Sequence, residues 1–268
     1  MKLNLLNLHK YQGAGNDFIL LDNREIQINF LTERMIKKLC DRHFGIGADG
    51  MMILNDKEGY DFEMIYYNSD GKLGSMCGNG GRCITRFAYD RGIKKANFKF
   101  YAFDGEHEST IDFENKVSLK MSDVNKVEFS LNHYVLNTGS PHYVKFVGDV
   151  NNVDVVKEGR DIRYSKEFSE KGINVNFVQV VSEDEIYVRT YERGVEDETL
   201  SCGTGVTASA LVAAHNDNGF NAVEVKTKGG KLRVEFEKSG DNIFKNIWLS
   251  GPAEYVFYAS IEINIEDV

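Results

Sequence analysis

The sequence predicts an α+β fold made of two related halves, and three observations point to it. A Cys-Gly-x-Gly turn occurs twice, as Cys77-Gly78-Asn79-Gly80 and Cys202-Gly203-Thr204-Gly205, 125 residues apart. The same offset sets Asp17-Phe18-Ile19 on His142-Tyr143-Val144, Met52-Ile53 on Phe177-Val178, and Tyr66-Tyr67-Asn68 on Tyr191-Glu192-Arg193, as a duplicated domain would. Short runs rich in β-branched and aromatic residues, bounded by Gly, Asn or Asp, outnumber helical stretches, which favours an α+β pair of domains over a parallel α/β sheet.

Taken in order, the first half offers strands at Phe18–Asp22, Met51–Leu54, Phe62–Tyr67, Asn97–Ala102 and Val117–Met121. The second half offers Tyr143–Val147, Phe177–Val181, Ile186–Tyr191, Val223–Lys226, Leu232–Phe236 and Ile247–Ser250. Helices are expected over Thr32–His43, with Thr32 as N-cap, and over Gly81–Arg91, Ser165–Phe168 and Gly205–Asn216. The last run, Glu254–Ile265, has no partner in the second repeat and is expected to cross back and add to the first domain. The domains are therefore set at residues 1–119 with returning strands at 252–268, and at 120–251.

The composition bounds the function. With 42% hydrophobic and 12% aromatic residues, the 268-residue chain has enough apolar surface to fold around a core. A net charge of −9 argues against a nucleic-acid or anionic-membrane surface. The segment Met1–Lys10 alternates Leu with Asn and has no apolar block of signal-peptide length. No stretch approaches the roughly 20 apolar residues that cross a bilayer. Four cysteines, Cys40, Cys77, Cys83 and Cys202, are too few for a disulfide scaffold. A reduced cytoplasmic protein is expected.

Cys77 and Cys202 carry the chemistry. A glycine-rich helix start leaves backbone N–H groups unpaired, attracts a carboxylate, and favours thiolate over thiol. Inverting a stereocentre needs one group to take a proton from one face of the carbon and a second group to deliver one to the other. Two related domains supply such a pair by symmetry, and equivalent residue types suit groups that exchange roles with reaction direction. With no recognisable cofactor-lysine motif, proton transfer without a cofactor is the simpler mechanism.

Rival readings fall short. Cys77 and Cys83 are six residues apart, outside any zinc-knuckle spacing, and no close histidine pair completes four ligands; no metal is expected. Cys83 and Cys40 read as core. Gly45-Ile46-Gly47-Ala48-Asp49-Gly50 matches G-x-G-x-x-G, but a helix precedes it and a strand follows, the reverse of a dinucleotide site. The run is read as a helix-to-strand loop. Among polar groups, Asn16 sits in a glycine turn, Asn68 ends a strand, Asn174 precedes one, and Glu192 and Arg193 end the strand leading to Cys202. Asn68 and Arg193 fall at one equivalent place at the 125-residue offset.

These motifs together resemble the diaminopimelate epimerase family. Asn68-Ser69-Asp70-Gly71 followed by Cys77-Gly78-Asn79-Gly80-Gly81-Arg82 looks like its signature. Gly13-Ala14-Gly15-Asn16-Asp17-Phe18 is similar to its opening motif, and Tyr191-Glu192-Arg193-Gly194 with Cys202-Gly203-Thr204-Gly205 to its second-domain site. The resemblance implies two pseudo-symmetric domains, each a curled, mostly antiparallel sheet around a central helix. It implies a cofactor-independent, homodimeric enzyme acting on LL- and meso-diaminopimelate in lysine and peptidoglycan precursor synthesis. By motif, Cys77 and Cys202 would be the acid/base thiols, and Gly78-Asn79 and Gly203-Thr204 would hold the reacting carboxylate. Asn16, Asn68, Asn174, Glu192 and Arg193 would fix the amino groups and the distal carboxylate. His142, in a Pro-His pair, could tune a thiol. Some members carry Gln where this chain has Gly50, and Asn where it has Ser140. Other expectations are a proline- or histidine-racemase-like enzyme, a PhzF-like isomerase, or a non-catalytic binding module of this fold.

Overall fold

At the N-terminus Leu6 and Leu8 are buried and alternate with half-exposed Asn7 and His9, the period of a strand with one face in a core. This is β1 (Leu3–Gly13) in a computed structural model that describes residues 3–24, 28, 30–74, 76–216, 218–240 and 242–264. The chain forms two units, Met1–Leu119 with Pro252–Val268, and Lys120–Gly251. In the first, β1 lies antiparallel to β2 (Asn16–Asp22), which runs parallel to β3 (Gly50–Asn55). Next come β4 (Phe62–Asn68), β5 (Asn97–Ala102), β6 (Gly105–Ile111) and β7 (Val117–Lys120), all antiparallel except the β4–β5 pair.

The two parallel steps enclose the helices. Helix α1 (Glu33–Cys40) joins β2 to β3, and α2 (Gly78–Asp90) joins β4 to β5. Alternation along the strands sends Ile19, Leu21, Met51 and Ile53 to the α1 side, where they meet Ile36 and Leu39. The other face curls around α2: Phe87 packs on Tyr11 of β1, Met52 of β3 approaches Gly80, Thr85 bonds Ser109 of β6 at 2.7 Å, and Leu119 of β7 lies against Gly81.

The second unit repeats the plan. Strands β8 (Val127–Ser130), β9 (His133–Asn137) and β10 (Pro141–Phe146) are antiparallel, and β10 runs parallel to β11 (Asn174–Val180). Then follow β12 (Glu185–Glu192) with the short β13 (Asp197–Thr199) on its edge. Strand β14 (Asn218–Thr227) is parallel to β12, and β15 (Gly230–Ser239) and β16 (Phe244–Gly251) complete the sheet antiparallel. Helix α3 (Val155–Arg163) covers one face through Val155 against Val175, Phe177 and Tyr191. Helix α4 (Gly203–Val212) is buried from Gly203 through Leu211 except at Thr204, as a helix wrapped by its own sheet must be. The fold is α+β, two like units each with a curled, mostly antiparallel sheet around a central helix.

Several details depart from the sequence expectations. The repeat is not at one ungapped offset. Phe18 pairs with Gly50 and His142 with Asn174, 124 residues on in each case, while α2 and α4 start 125 apart. With the strands equivalent at 124, matching them at 125 would be one residue out of register and would set each side chain on one facing the opposite way. Ile19 and Tyr143, which do share a face toward α1 and α3, are 124 apart. The added residue lies between β12 and α4. By the same ladder Asn68, opposite Gly50, corresponds to Glu192 and not to Arg193.

The helix expected at Ser165–Phe168 is a turn, and the helix is the preceding Val155–Arg163, capped by the Asp154 carboxylate on Lys157 N at 3.1 Å. Two valines and Gly159 hide its pattern; the glycine is required because a methyl there would lie 2.4 Å from Tyr191 Cβ. Helix α1 stops at Cys40, three residues short of expectation, where Asp41 turns the chain by accepting from His43 and Phe44 N–H groups. Both central helices begin earlier than expected, directly after their cysteines. The C-terminal β17 (Glu254–Asn264) pairs antiparallel with β1. It does have a counterpart in the other repeat: β8 pairs with β9 in the same way.

Candidate active site

In the first unit Cys77 is the N-cap residue of α2, in extended conformation, with no side-chain capping bond. Gly78 and Asn79 form the first turn and are buried. Asn16, at the start of β2, reaches this terminus: its Oδ1 lies 3.6 Å from Cys77 Sγ and 3.4 Å from Asn79 Nδ2. Asn68 closes β4 opposite Gly50, with its Oδ1 beside Gly74. Gly50 itself is hemmed in, since a methyl there would lie 2.5 Å from the Tyr66 ring. Tyr66 thus fills the space in which other residues would project at that position.

Two charged groups underlie this terminus. Arg82 is fully buried, and donates to Gly78 O at 3.1 Å and to Asn79 Oδ1 at 2.7 Å. Burial brings its pKa down to about 10, countered in part by Cys83 and Cys77. On the other side Asp49 accepts from Asn16 Nδ2 and pairs with Arg42 at 2.7 Å. Burial pushes the neighbouring Asp17 carboxyl up, but Arg42 and Lys10 outweigh it and hold its pKa at about 2. Cys83 and Cys40 are buried core thiols, and burial raises them to about 12 and about 11. They stay protonated at neutral pH.

In the second unit Cys202 is the N-cap of α4, again extended and without a side-chain capping bond. Its Sγ lies 3.5 Å from Thr204 Oγ1, and Thr204 O accepts from Thr138 at 2.8 Å. Asn174, Ser140 and Arg193 form one group: Asn174 Nδ2 donates to Ser140 Oγ at 2.8 Å, Arg193 donates to the same oxygen at 3.3 Å, and Arg193 N donates to Asn174 Oδ1 at 2.9 Å. Ser140, a point of departure from the family pattern, therefore sits among the expected polar residues. Glu192 ends β12 beside Asp197 of β13.

His142 is fully buried on the α4 side of the sheet. Its Nδ1 faces Asn176 Nδ2 at 3.1 Å, while Asn176 Oδ1 accepts from Thr190 at 2.9 Å. Nδ1 is thus the acceptor, the ring proton sits on Nε2, and Nε2 has no partner among the described residues. Burial, with Arg193 nearby, lowers its pKa to about 3, so the ring is neutral.

Arg82, Asp49 and Asn176 are the residues that sequence reasoning passed over. Asn176 carried a usable signal, since it repeats Asn174 two residues on in a mostly apolar strand and so shares its face. Arg82 and Asp49 stood inside quoted motifs, but nothing local marked either as a partner of the Cys77 turn, because charged residues in a helix and a loop read as solvated. Among the described residues no three His, Cys, Asp or Glu side chains gather as metal ligands would, and no helix is long and apolar enough to cross a membrane.

Comparison with known proteins places the chain in a family. A family model described as diaminopimelate epimerase matches the chain twice, over residues 8–127 and 134–256. A diaminopimelate epimerase of Flavobacterium psychrophilum is 49% identical over 257 residues, covering 96% of this chain and 100% of that one. Another, of Chlorobaculum tepidum, is 41% identical over 260 residues, covering 94% and 99%. Among solved structures, a PhzF-family phenazine biosynthesis protein of Bacillus anthracis matches with a TM-score of 0.71 at 15% identity, covering 97% of this chain and 100% of that one. A hydroxyproline epimerase of Agrobacterium vitis matches at 0.67 and 12%, covering 97% and 93%. Those two likenesses speak for the fold alone. The double family match and the close relatives speak for lineage: the chain belongs to the diaminopimelate epimerase family and is an isomerase.

Proposed function

We propose that this protein interconverts LL- and meso-diaminopimelate without a cofactor, one of two sulfurs, Cys77 and Cys202, taking the α-proton while the other supplies a different one, in the supply of lysine and peptidoglycan precursors. The observation that carries the reading is one device used twice: in each unit a cysteine caps the buried, glycine-rich central helix. One thiolate removes the α-proton and the other thiol delivers a proton to the opposite face, and the reverse reaction exchanges the roles. The first-turn N–H groups of Gly78-Asn79 and Gly203-Thr204 receive the carboxylate, where negative charge accumulates as the proton leaves. Asn16, Asn68, Asn174, Glu192 and Arg193 hold the amino groups and the distal carboxylate, and neutral His142 tunes a thiol. The same reading makes the enzyme a cytoplasmic homodimer.

The test is solvent exchange in D2O with diaminopimelate, glutamate, proline and histidine as separate substrates. Deuterium should enter diaminopimelate at its α-carbon, and Cys77→Ala or Cys202→Ala should each cost at least about 10²–10⁴-fold in turnover. Exchange confined to another amino acid would refute the substrate. Either variant turning over at the normal rate would refute the two-thiol mechanism.

A further inference from the structure

Asp49 lies in the glycine-rich loop ahead of β3, outside the chemistry proposed above. Its Oδ2 accepts from Asn16 Nδ2 and also from Asp17 N at 3.2 Å. Asn16 Oδ1 then meets two donors, Asn79 Nδ2 at 3.4 Å and Cys77 Sγ at 3.6 Å. Asn79 Oδ1 is in turn occupied by Arg82 at 2.7 Å. A carboxylate can only accept and a guanidinium can only donate. The charges at the two ends therefore leave each amide between them a single orientation. We propose that Asp49 is a positioning residue that, through the chain Asp49–Asn16–Asn79–Arg82, locks the Asn16 amide so that it presents an acceptor to Cys77.

The consequence is a resting bias on one of the two sulfurs. An acceptor facing the sulfur stabilises the protonated thiol and opposes the thiolate. The α2 terminus and the Arg82 charge push the other way. Around this site the charged and titratable groups are Arg82 and Cys83 on α2, Lys10 on β1, Asp17 on β2, Arg42 after α1, and Glu254 on β17. Among the described residues, Asp49 alone of the acids bonds the Asn16 side chain. If the Asn16 amide were free to turn, its Nδ2 would donate to the sulfur and the bias would reverse sign. The catalytic meaning of this lock rests on Cys77 being an acid/base group, but its existence does not.

The experiment reads the sulfur directly. Alkylation of Cys77 by iodoacetamide is followed against pH, with peptide mass mapping to separate it from Cys202, in the wild type, Asp49→Ala and Asp49→Asn. Asp49 is 40% exposed, so both variants should fold. Asp49→Ala removes the acceptor, and the Cys77 midpoint should move down, giving about tenfold faster alkylation at a pH below it. In Asp49→Asn the two donors on one side, Asn16 Nδ2 and Asp17 N, outnumber the Arg42 donor on the other and keep the amide oxygen toward Asn16, so the wild-type midpoint should be retained although the charge is gone. An unmoved midpoint in Asp49→Ala overturns the proposal. So does an equal shift in Asp49→Asn, which would mean that charge alone acts. Neither outcome depends on which substrate the enzyme turns over.

Discussion

An imidazole with one nitrogen bonded to an amide donor, the other buried without a partner, and an arginine charge nearby does not take a second proton, and among the described residues His142 is such a ring. Its folded pKa is about 3, below the unfolded value of 6.5. Below pH 6.5 the unfolded chain therefore takes up a proton that the folded chain refuses. The contribution to stability is complete above that pH and is lost as pH falls toward 3, by about 1.4 kcal/mol per pH unit at most. Melting temperatures between pH 7.5 and 5.5 should consequently fall more steeply for the wild type than for His142→Asn; equal slopes would mean that the ring titrates normally. The pair His142 and Asn176 also marks the limit of reading residues in sequence. His142 was legible beside Pro141 as a candidate, but its tautomer follows from Asn176 and Thr190, which only the paired strands bring to it.

The two central helices share a start and differ in tolerance. Gly80 and Gly205 occupy equivalent places three residues after the cysteines. A methyl at Gly80 would meet Met52 Sδ at 3.4 Å and Cys77 Cβ at 3.6 Å, which is ordinary contact. A methyl at Gly205 would lie 2.3 Å from Asn176 Oδ1. Alanine has the better helix propensity, by up to about 1 kcal/mol. Gly80→Ala should therefore be neutral or stabilising by up to that amount, whereas the overlap at Gly205→Ala should destabilise by about 1–3 kcal/mol. Chemical denaturation of both variants checks the contrast, and equal effects would show that α4 can move away from β11. Both glycines were visible in the motif, yet nothing in the motif distinguished them, because the difference lies in the strand behind the helix.

At the scale of the molecule, the first unit depends on a strand from the far end of the chain. β17 pairs with β1 from Leu3↔Asn264 to Gln12↔Glu254, and β1 carries the buried Leu6, Leu8 and Tyr11. Truncation after Gly251 should leave one side of β1 without its ladder and uncover those side chains. Hydrogen exchange should then show β1 and β2 unprotected while β11, β12 and α4 stay protected; retained protection in β1 would mean that β2 alone holds it. The sequence by itself determined the α+β class, the duplication, the two cysteine-headed helices and the family resemblance, since short-range spacing and glycine at a helix start are local properties. It could not determine the strand offset of 124, the helix at Val155–Arg163, or the roles of Asp49, Arg82 and Asn176. Those were decided by tertiary structure, because which face a strand buries and which charge ends a hydrogen-bond chain depend on partners distant in sequence. The two cysteine-headed turns were written in the motif; the groups that hydrogen-bond to the residues around them were not.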